Sequence, residues 1–296
     1  MPSIPRSRVA FSVALLACLA GTAGVLAAHD FWLVPNGLTA GPGASLEVLG
    51  QSGSRFPTSG GATQPATVAE ARIVGGASDE KVTDLAVSGK SMVLRHRPRA
   101  AGQYIVGVKL AARSARTTPV RLQRYIALEG APELAARYES EGLYPAMDSV
   151  TQESAKFAKT IVQYGAGGSR AFNKPLGHPL EMVPLDDPSA ARVGRTVRVR
   201  LLLDGKPLAN VHLRAGWGDP ALVTAEPPAA GTAPAAPDQV ILTDAEGVAQ
   251  VAITAAGLWN VRTLYAYGMR GMPAHWLVYF STMVFSVGEG DATRPR

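Results

Sequence analysis

Thr196-Val197-Arg198-Val199-Arg200-Leu201-Leu202-Leu203-Asp204-Gly205-Lys206-Pro207 is the stretch that decides the fold. Val197, Val199, Leu201 and Leu203 alternate against Arg198 and Arg200. A period of two gives a strand one buried face and one wetted face. Asp204-Gly205 then supplies a tight turn, because glycine tolerates positive φ. Leu208-Ala209-Asn210-Val211-His212-Leu213 is the predicted return strand.

The same grammar continues toward the C-terminus. Thr243-Asp244-Ala245-Glu246-Gly247 is a turn between strands predicted at Gln239–Leu242 and residues 248–253, and residues 258–267 and 282–287 complete the set. Short strands with turn signals at this spacing predict an antiparallel sandwich. Residues 226–237 are nearly all Pro, Ala and Gly, a composition that buries no core and predicts a flexible loop.

Working toward the N-terminus, the pattern recurs. Gly43-Ala44-Ser45-Leu46-Glu47-Val48 resembles Gly194-Arg195-Thr196-Val197-Arg198-Val199, and Ala100-Ala101-Gly102-Gln103-Tyr104-Ile105-Val106 resembles Ala255-Ala256-Gly257-Leu258-Trp259-Asn260-Val261. Both pairs have a glycine turn followed by an apolar strand, which predicts a second β-domain of related design. Between the two lies helical material. Pro132 suits a first helical turn, with Leu134 and Tyr138 on one face of residues 133–144. Ser149-Val150-Thr151-Gln152 has the form of a capping box, Phe157, Ile161 and Tyr164 follow at helical spacing, and Gly165 fits the stop. The expected class is therefore mainly β, with two immunoglobulin-like antiparallel β-sandwich domains and a short helical segment between them. The expected boundaries are 28–128 for the first sandwich, 129–170 for the connector, 171–288 for the second sandwich, and 289–296 for a disordered tail.

Residues 1–27 form a secretory signal peptide by pattern. Arg6 and Arg8 precede an uncharged, Ala- and Leu-rich run over residues 9–26 that ends in small residues. This places the protein in the periplasm. Cleavage after Ala27 leaves Ala28-His29-Asp30; cleavage after Ala28 makes His29 terminal. Leu15-Leu16-Ala17-Cys18 resembles a lipobox, and lipidation of Cys18 would instead anchor the chain to the membrane. Cys18 is the single cysteine, so a chain cut at residue 27 has neither disulfide nor thiolate chemistry. The net charge of +6 is mild for 296 residues. Arg95, Arg97, Arg99, Arg113, Arg116, Arg121 and Arg124 are scattered without interleaved aromatics, which predicts solvated strand faces and no nucleic-acid surface.

The junction carries the chemistry. An amine, the His29 imidazole and the Asp30 carboxylate would make a ligand set for a divalent transition metal. Imidazole and amine nitrogens suit Ni2+ and Cu2+. His96, His178, His212 and His275 form no i,i+4 pair and no zinc-finger spacing. Each alone is more simply a surface or half-buried residue, with His178 the best placed because it flanks Leu180-Glu181. No nucleophile elbow, P-loop, His-Glu helix motif or dinucleotide fingerprint is present, so no catalytic role is expected. Glu181, Asp186 and Asp187 form a carboxylate cluster in sequence, but Asp186-Asp187-Pro188 is more simply a turn.

Several stretches together resemble a bacterial family of domains of unknown function. They are His29-Asp30-Phe31-Trp32-Leu33-Val34-Pro35, Glu153-Ser154-Ala155-Lys156-Phe157-Ala158-Lys159, Gly177-His178-Pro179-Leu180-Glu181-Met182-Val183-Pro184 and Gly257-Leu258-Trp259-Asn260-Val261-Arg262. Members of that family are labelled NikM-like or the periplasmic component of ABC-type nickel/cobalt transport. The resemblance implies capture of Ni2+ or Co2+, with Cu2+ as a chemical alternative, for the membrane components of an ABC-type transporter. The metal-site residues it directs attention to are His29, Asp30 and His178. Where the family pattern places a histidine after the Trp-x-Val-Arg strand, this chain has Tyr265, which would remove a ligand there. The alternative is a non-catalytic immunoglobulin-like binding or adhesion module that recognises a protein or glycan through its loops.

Overall fold

The structure, a computed structural model, describes residues 30–36, 39–40, 43–227 and 238–288. The signal peptide, Cys18, His29, most of the Pro/Ala-rich segment and the C-terminal tail lie outside the described residues.

The first part of the chain forms β1 (Asp30–Pro35), β2 (Thr39–Ala40), β3 (Leu46–Gly53), β4 (Gly61–Ala62), β5 (Val68–Gly75), β6 (Ser78–Lys81), β7 (Asp84–Ser88), β8 (Ser91–His96), β9 (Gly102–Leu110) and β10 (Arg113–Thr117). Helices α1 (Pro119–Leu128) and α2 (Pro132–Ser140) follow, then the long strand β11 (Val150–Tyr164). The last part holds β12 (Leu180–Pro184), β13 (Thr196–Leu203), β14 (Lys206–Pro207), β15 (His212–Gly218), β16 (Gln239–Leu242), β17 (Val248–Ala252), β18 (Gly257–Met269) and β19 (Met272–Val287). The expected class holds: the chain is mainly β, built of antiparallel sandwiches with helices between them.

The sandwiches share a sheet. A ten-stranded sheet runs β16-β15-β18-β19-β11-β9-β5-β6, with β10 and β2 also on β11. Its seam is a parallel pairing of β11 with β19, from Thr151 opposite His275 to Thr160 opposite Val284. Two smaller sheets cover it: β1-β3-β8-β7 with β4, and β12-β13-β14 with β17.

Side-chain alternation shows that the covers lie on opposite faces. Ala158 and Val162 of β11 and Tyr104, Val106 and Val108 of β9 pack with Phe31, Leu33, Val48 and Leu94 of the first small sheet. Phe157 of β11, Trp259 and Val261 of β18, and Met283 and Phe285 of β19 pack instead with Met182, Val199, Leu201 and Val251 of the second. On the face shared with the first small sheet, α1 and α2 lay Leu122, Ile126, Leu134 and Tyr138 over Leu264, Trp276, Val278 and Phe280.

Three expectations are corrected. Residues 150–164 are a strand, not a helix. β11 lies inside the ten-stranded sheet with a cover on each face, so residues 157–162 are all buried and no period of two survives. Phe157, Ile161 and Tyr164 fall at helical spacing by coincidence. In the strand Phe157 and Ile161 share a face and Tyr164 takes the other, while the capping-box Gln152 bonds Ser154 Oγ at 2.9 Å. Secondly, Asp204 and Gly205 make the expected tight turn, with φ of 48° and 75°, but only the short β14 returns on β13. At Asn210, φ 57°, the chain leaves that sheet, and β15 joins the ten-stranded one. Thirdly, α1 is a helix inside the expected β-domain. Thr118 caps it by accepting Arg121 N–H, Pro119 opens it, and Leu122 and Ile126 make its buried stripe. Helix α2 starts at Pro132 with Leu134 and Tyr138 buried, as expected, and ends at Ser140.

Candidate functional site

β1 places the first candidate. Phe31, Trp32, Leu33 and Val34 are at most 2% exposed, so the strand is held along almost its whole length. Thr282 Oγ1 donates to the Phe31 carbonyl at 2.7 Å, and Trp32 Nε1 donates to Gln51 Oε1 at 3.2 Å. Asp30 opens the strand, half-buried, opposite Gly53. Its carboxylate lies 3.1 Å from Arg262 Nε. Arg262 also holds Asp238, through contacts of 2.6 and 3.2 Å.

A second ion pair stands beside the first. Arg214 donates to both Glu133 oxygens at 2.7 and 2.9 Å and to the Gly130 carbonyl at 2.7 Å. Burial acts to raise the Glu133 carboxyl, but its backbone hydrogen bond and Arg214 outweigh this and hold it below the usual range. Lys156 Nζ sits over the Phe280 ring, 5.1 Å from its centre. Burial pushes the Lys156 ammonium below its ordinary pKa, against the pull of Asp30 and Glu129. Asp30, Glu129, Arg214, Arg262 and Thr263 line one small cavity at the opening of β1. The arrangement is a closely interleaved set of carboxylates and cations on the helix-bearing face of the large sheet.

His178 lies on the other face. Its ring is tilted against Phe157, centre to centre 5.5 Å, and burial pushes its pKa down to about 4, leaving a neutral imidazole. It precedes β12, whose Glu181 accepts Leu176 N–H at 2.7 Å, Gly177 N–H at 2.9 Å and His178 N–H at 3.2 Å. Lys159, on the Phe157 face of β11, donates to Glu181 at 2.6 Å, and both side chains are 2% exposed. Burial acts to raise the Glu181 carboxyl; Lys159 and the backbone donors prevail and lower it. This anchor ties residues 176–178 to the sheet.

The structure therefore does not bring Asp30 and His178 together, because β11 stands between them with alternate residues facing each. His29 lies outside the described residues. Among the described residues no group of three or more His, Cys, Asp or Glu side chains could hold a metal ion. His96 faces Glu80 at 3.7 Å and His275 faces Glu153 at 3.3 Å. The sequence cluster Glu181, Asp186 and Asp187 separates: Asp186 grips Arg198 at 2.7 Å, and Asp187 caps the turn at Ser189. Tyr265 packs on Tyr267, ring centres 5.7 Å apart. Sequence reasoning missed the Arg262, Arg214 and Glu129 surroundings of Asp30, since nothing in their spacing unites them. Lys159 left a weak signal, a lone charge inside an apolar run.

Among the described residues no helix is long and apolar enough to cross a membrane. No curated protein matches the chain. Among solved structures, the chain is similar to the D0-D1 domain of Intimin, at 11% identity over 87% of this chain and 97% of that one, with a TM-score of 0.19. It is similar to FdeC, an Escherichia coli adhesin, at 15% identity over 88% of this chain and 65% of that one, with a TM-score of 0.22. Murine CEACAM1b matches at 8% identity over 87% of this chain and 98% of that one, with a TM-score of 0.19. A family model does reach the site, running from before β1 through Arg262 to Tyr267. With residues 26–267 matched, the chain belongs to the family described as DUF4198, a domain of unknown function.

Proposed function

We propose that this chain is a non-catalytic periplasmic protein that captures a divalent transition metal, Ni2+ or Co2+, through its mature N-terminal segment. It would pass the ion to membrane components of an ABC-type transporter. His29 supplies the imidazole, and removal of the signal leaves a free amine on Ala28 or on His29 itself. The observation that carries the reading is the position of Asp30, which follows His29 and opens a buried strand beside a cavity that Glu129 also lines. Oxygen donors beside imidazole and amine nitrogen make a mixed N/O set suited to these ions. Arg262 orients the Asp30 carboxylate and also competes with a cation for it. His178, neutral and enclosed on the opposite face, has no part in this site.

The test is calorimetric titration of Ni2+ and Co2+ into protein purified after export, with its N-terminus defined by mass spectrometry. Binding should weaken by about tenfold or more in His29→Ala and less in Asp30→Asn. Equal binding by the parent and His29→Ala, or none by the parent, would sink the reading. A second reading, recognition of a macromolecule without metal, is favoured by the exposed apolar residues Trp217, Leu222, Val240 and Leu242.

A further inference from the structure

The free edges of a sheet are templates for another strand, and natural proteins usually blunt them with charge. This protein does so at two edges of the large sheet. At one end of the large sheet β6 reads Ser-Asp-Glu-Lys, and β10, which flanks β11, reads Arg-Ser-Ala-Arg-Thr. The other end is different. β16 reads Gln-Val-Ile-Leu, and Val240 and Leu242 are 48% and 51% exposed. The hydrogen bond from Thr243 N–H to the Val211 carbonyl shows which residues face β15. By the alternation of an antiparallel ladder, Ile241 faces inward like Thr243, so the amides of Val240 and Leu242 point away from the sheet.

A cleft adjoins this edge. It has a volume of about 220 Å3 between α2 and β15–β16, with Leu134, Leu242 and Leu264 as apolar lining and Arg137, Asn210 and His212 as polar groups. Glu133 also reaches it, but its carboxylate is held by Arg214. Arg137 donates to the Asn210 carbonyl at 3.1 Å and lies over the Tyr138 ring; among the described residues it makes no ion pair. The cleft thus presents an unneutralised guanidinium above an apolar floor, next to an uncharged strand edge.

We propose that β16 and this cleft dock an extended peptide. Its backbone adds to β16 through the Val240 and Leu242 amides and carbonyls. An apolar C-terminal side chain rests on Leu242 and Leu134, and the terminal carboxylate meets Arg137. Main-chain pairing gives such a complex affinity, and the pocket and charge give it selectivity. The inference deepens the macromolecular reading and is independent of metal.

The probe is a library of random octapeptides with free C-terminal carboxylates, screened against the exported full-length protein. Enriched peptides are synthesised in free and C-terminally amidated forms and titrated by fluorescence anisotropy. Apolar C-termini should be enriched, and amidation should weaken binding about tenfold or more. Val240→Pro removes an outward N–H where a sheet edge tolerates proline, and Arg137→Gln removes the charge; each should weaken binding comparably while thermal unfolding stays near the parent. No enrichment overturns the inference. Peptides that bind equally well to both variants also overturn it, while leaving recognition by another surface standing. Nickel titration of Arg137→Gln should be unchanged, so failure here and failure of the metal reading are separable.

Discussion

His178 shows how burial sets a side chain's chemistry. Its folded pKa, lowered to about 4, lies below that of an unfolded histidine, near 6.5. Between these values the unfolded chain binds a proton that the folded chain refuses. The stability associated with the neutral ring is thus complete above pH 6.5 and lost as pH falls toward 4. One proton over that window amounts to roughly 3 kcal/mol. Urea denaturation from pH 7 to pH 4 should show this loss, and His178→Phe should flatten the slope over that window. An unchanged slope in the variant would place the proton elsewhere. Glu181 is held below the usual carboxylate range, because Lys159 and the backbone donors overcome burial and depress its carboxyl. Its contribution is present above the unfolded carboxylate pKa and is lost as pH falls through the folded one. At this scale the sequence was informative only in part. It marked Asp30 and His178 as candidates, but whether each is paired, neutral or shielded depends on side chains from other strands, Arg262 for Asp30 and Phe157 for His178.

At the scale of elements, legibility followed burial. β13 declares itself because one face is wetted; exposed Thr196 and Arg198 and half-buried Arg200 alternate with buried Val197, Val199 and Leu201. β11 hides because both faces are covered: residues 157–162 are buried without a break, Lys159 and Thr160 among them, so no polar-apolar period marks the strand. The turns were legible at Asp204-Gly205 and around Gly247, where positive φ is required. The segment after β11 has a less visible requirement. Gly168 has φ +84°, and a Cβ there would lie 2.1 Å from the Ala101 carbonyl oxygen. Backbone cannot yield as a side chain can. Gly168→Ala should therefore cost about 2–4 kcal/mol of stability by chemical denaturation, beyond the ordinary cost of placing alanine at positive φ. A loss under about 1 kcal/mol would mean that the segment moves aside freely. Gly177, also at positive φ but with nothing near its missing Cβ, is the contrasting position.

At the scale of the molecule, the two sandwiches are joined by shared strands. β19, from the last part of the chain, pairs with β11 along ten registered positions, and a cover lies on each face of that seam. Unfolding one sandwich exposes the central strands of the other. Calorimetry should show a single transition with equal calorimetric and van't Hoff enthalpies, and residues 171–288 expressed alone should not fold cooperatively. Two separated transitions would mean that the seam contributes little. By itself the sequence determined the class, the turns and the start of α2, because these depend on local periodicity and backbone preference. Tertiary structure alone decided the joining of the sheets, the opposite placement of Asp30 and His178, and the exposure of β16. Those depend on which strand lies beside which, and hydrogen-bond pairing between distant segments leaves no periodic trace in either one.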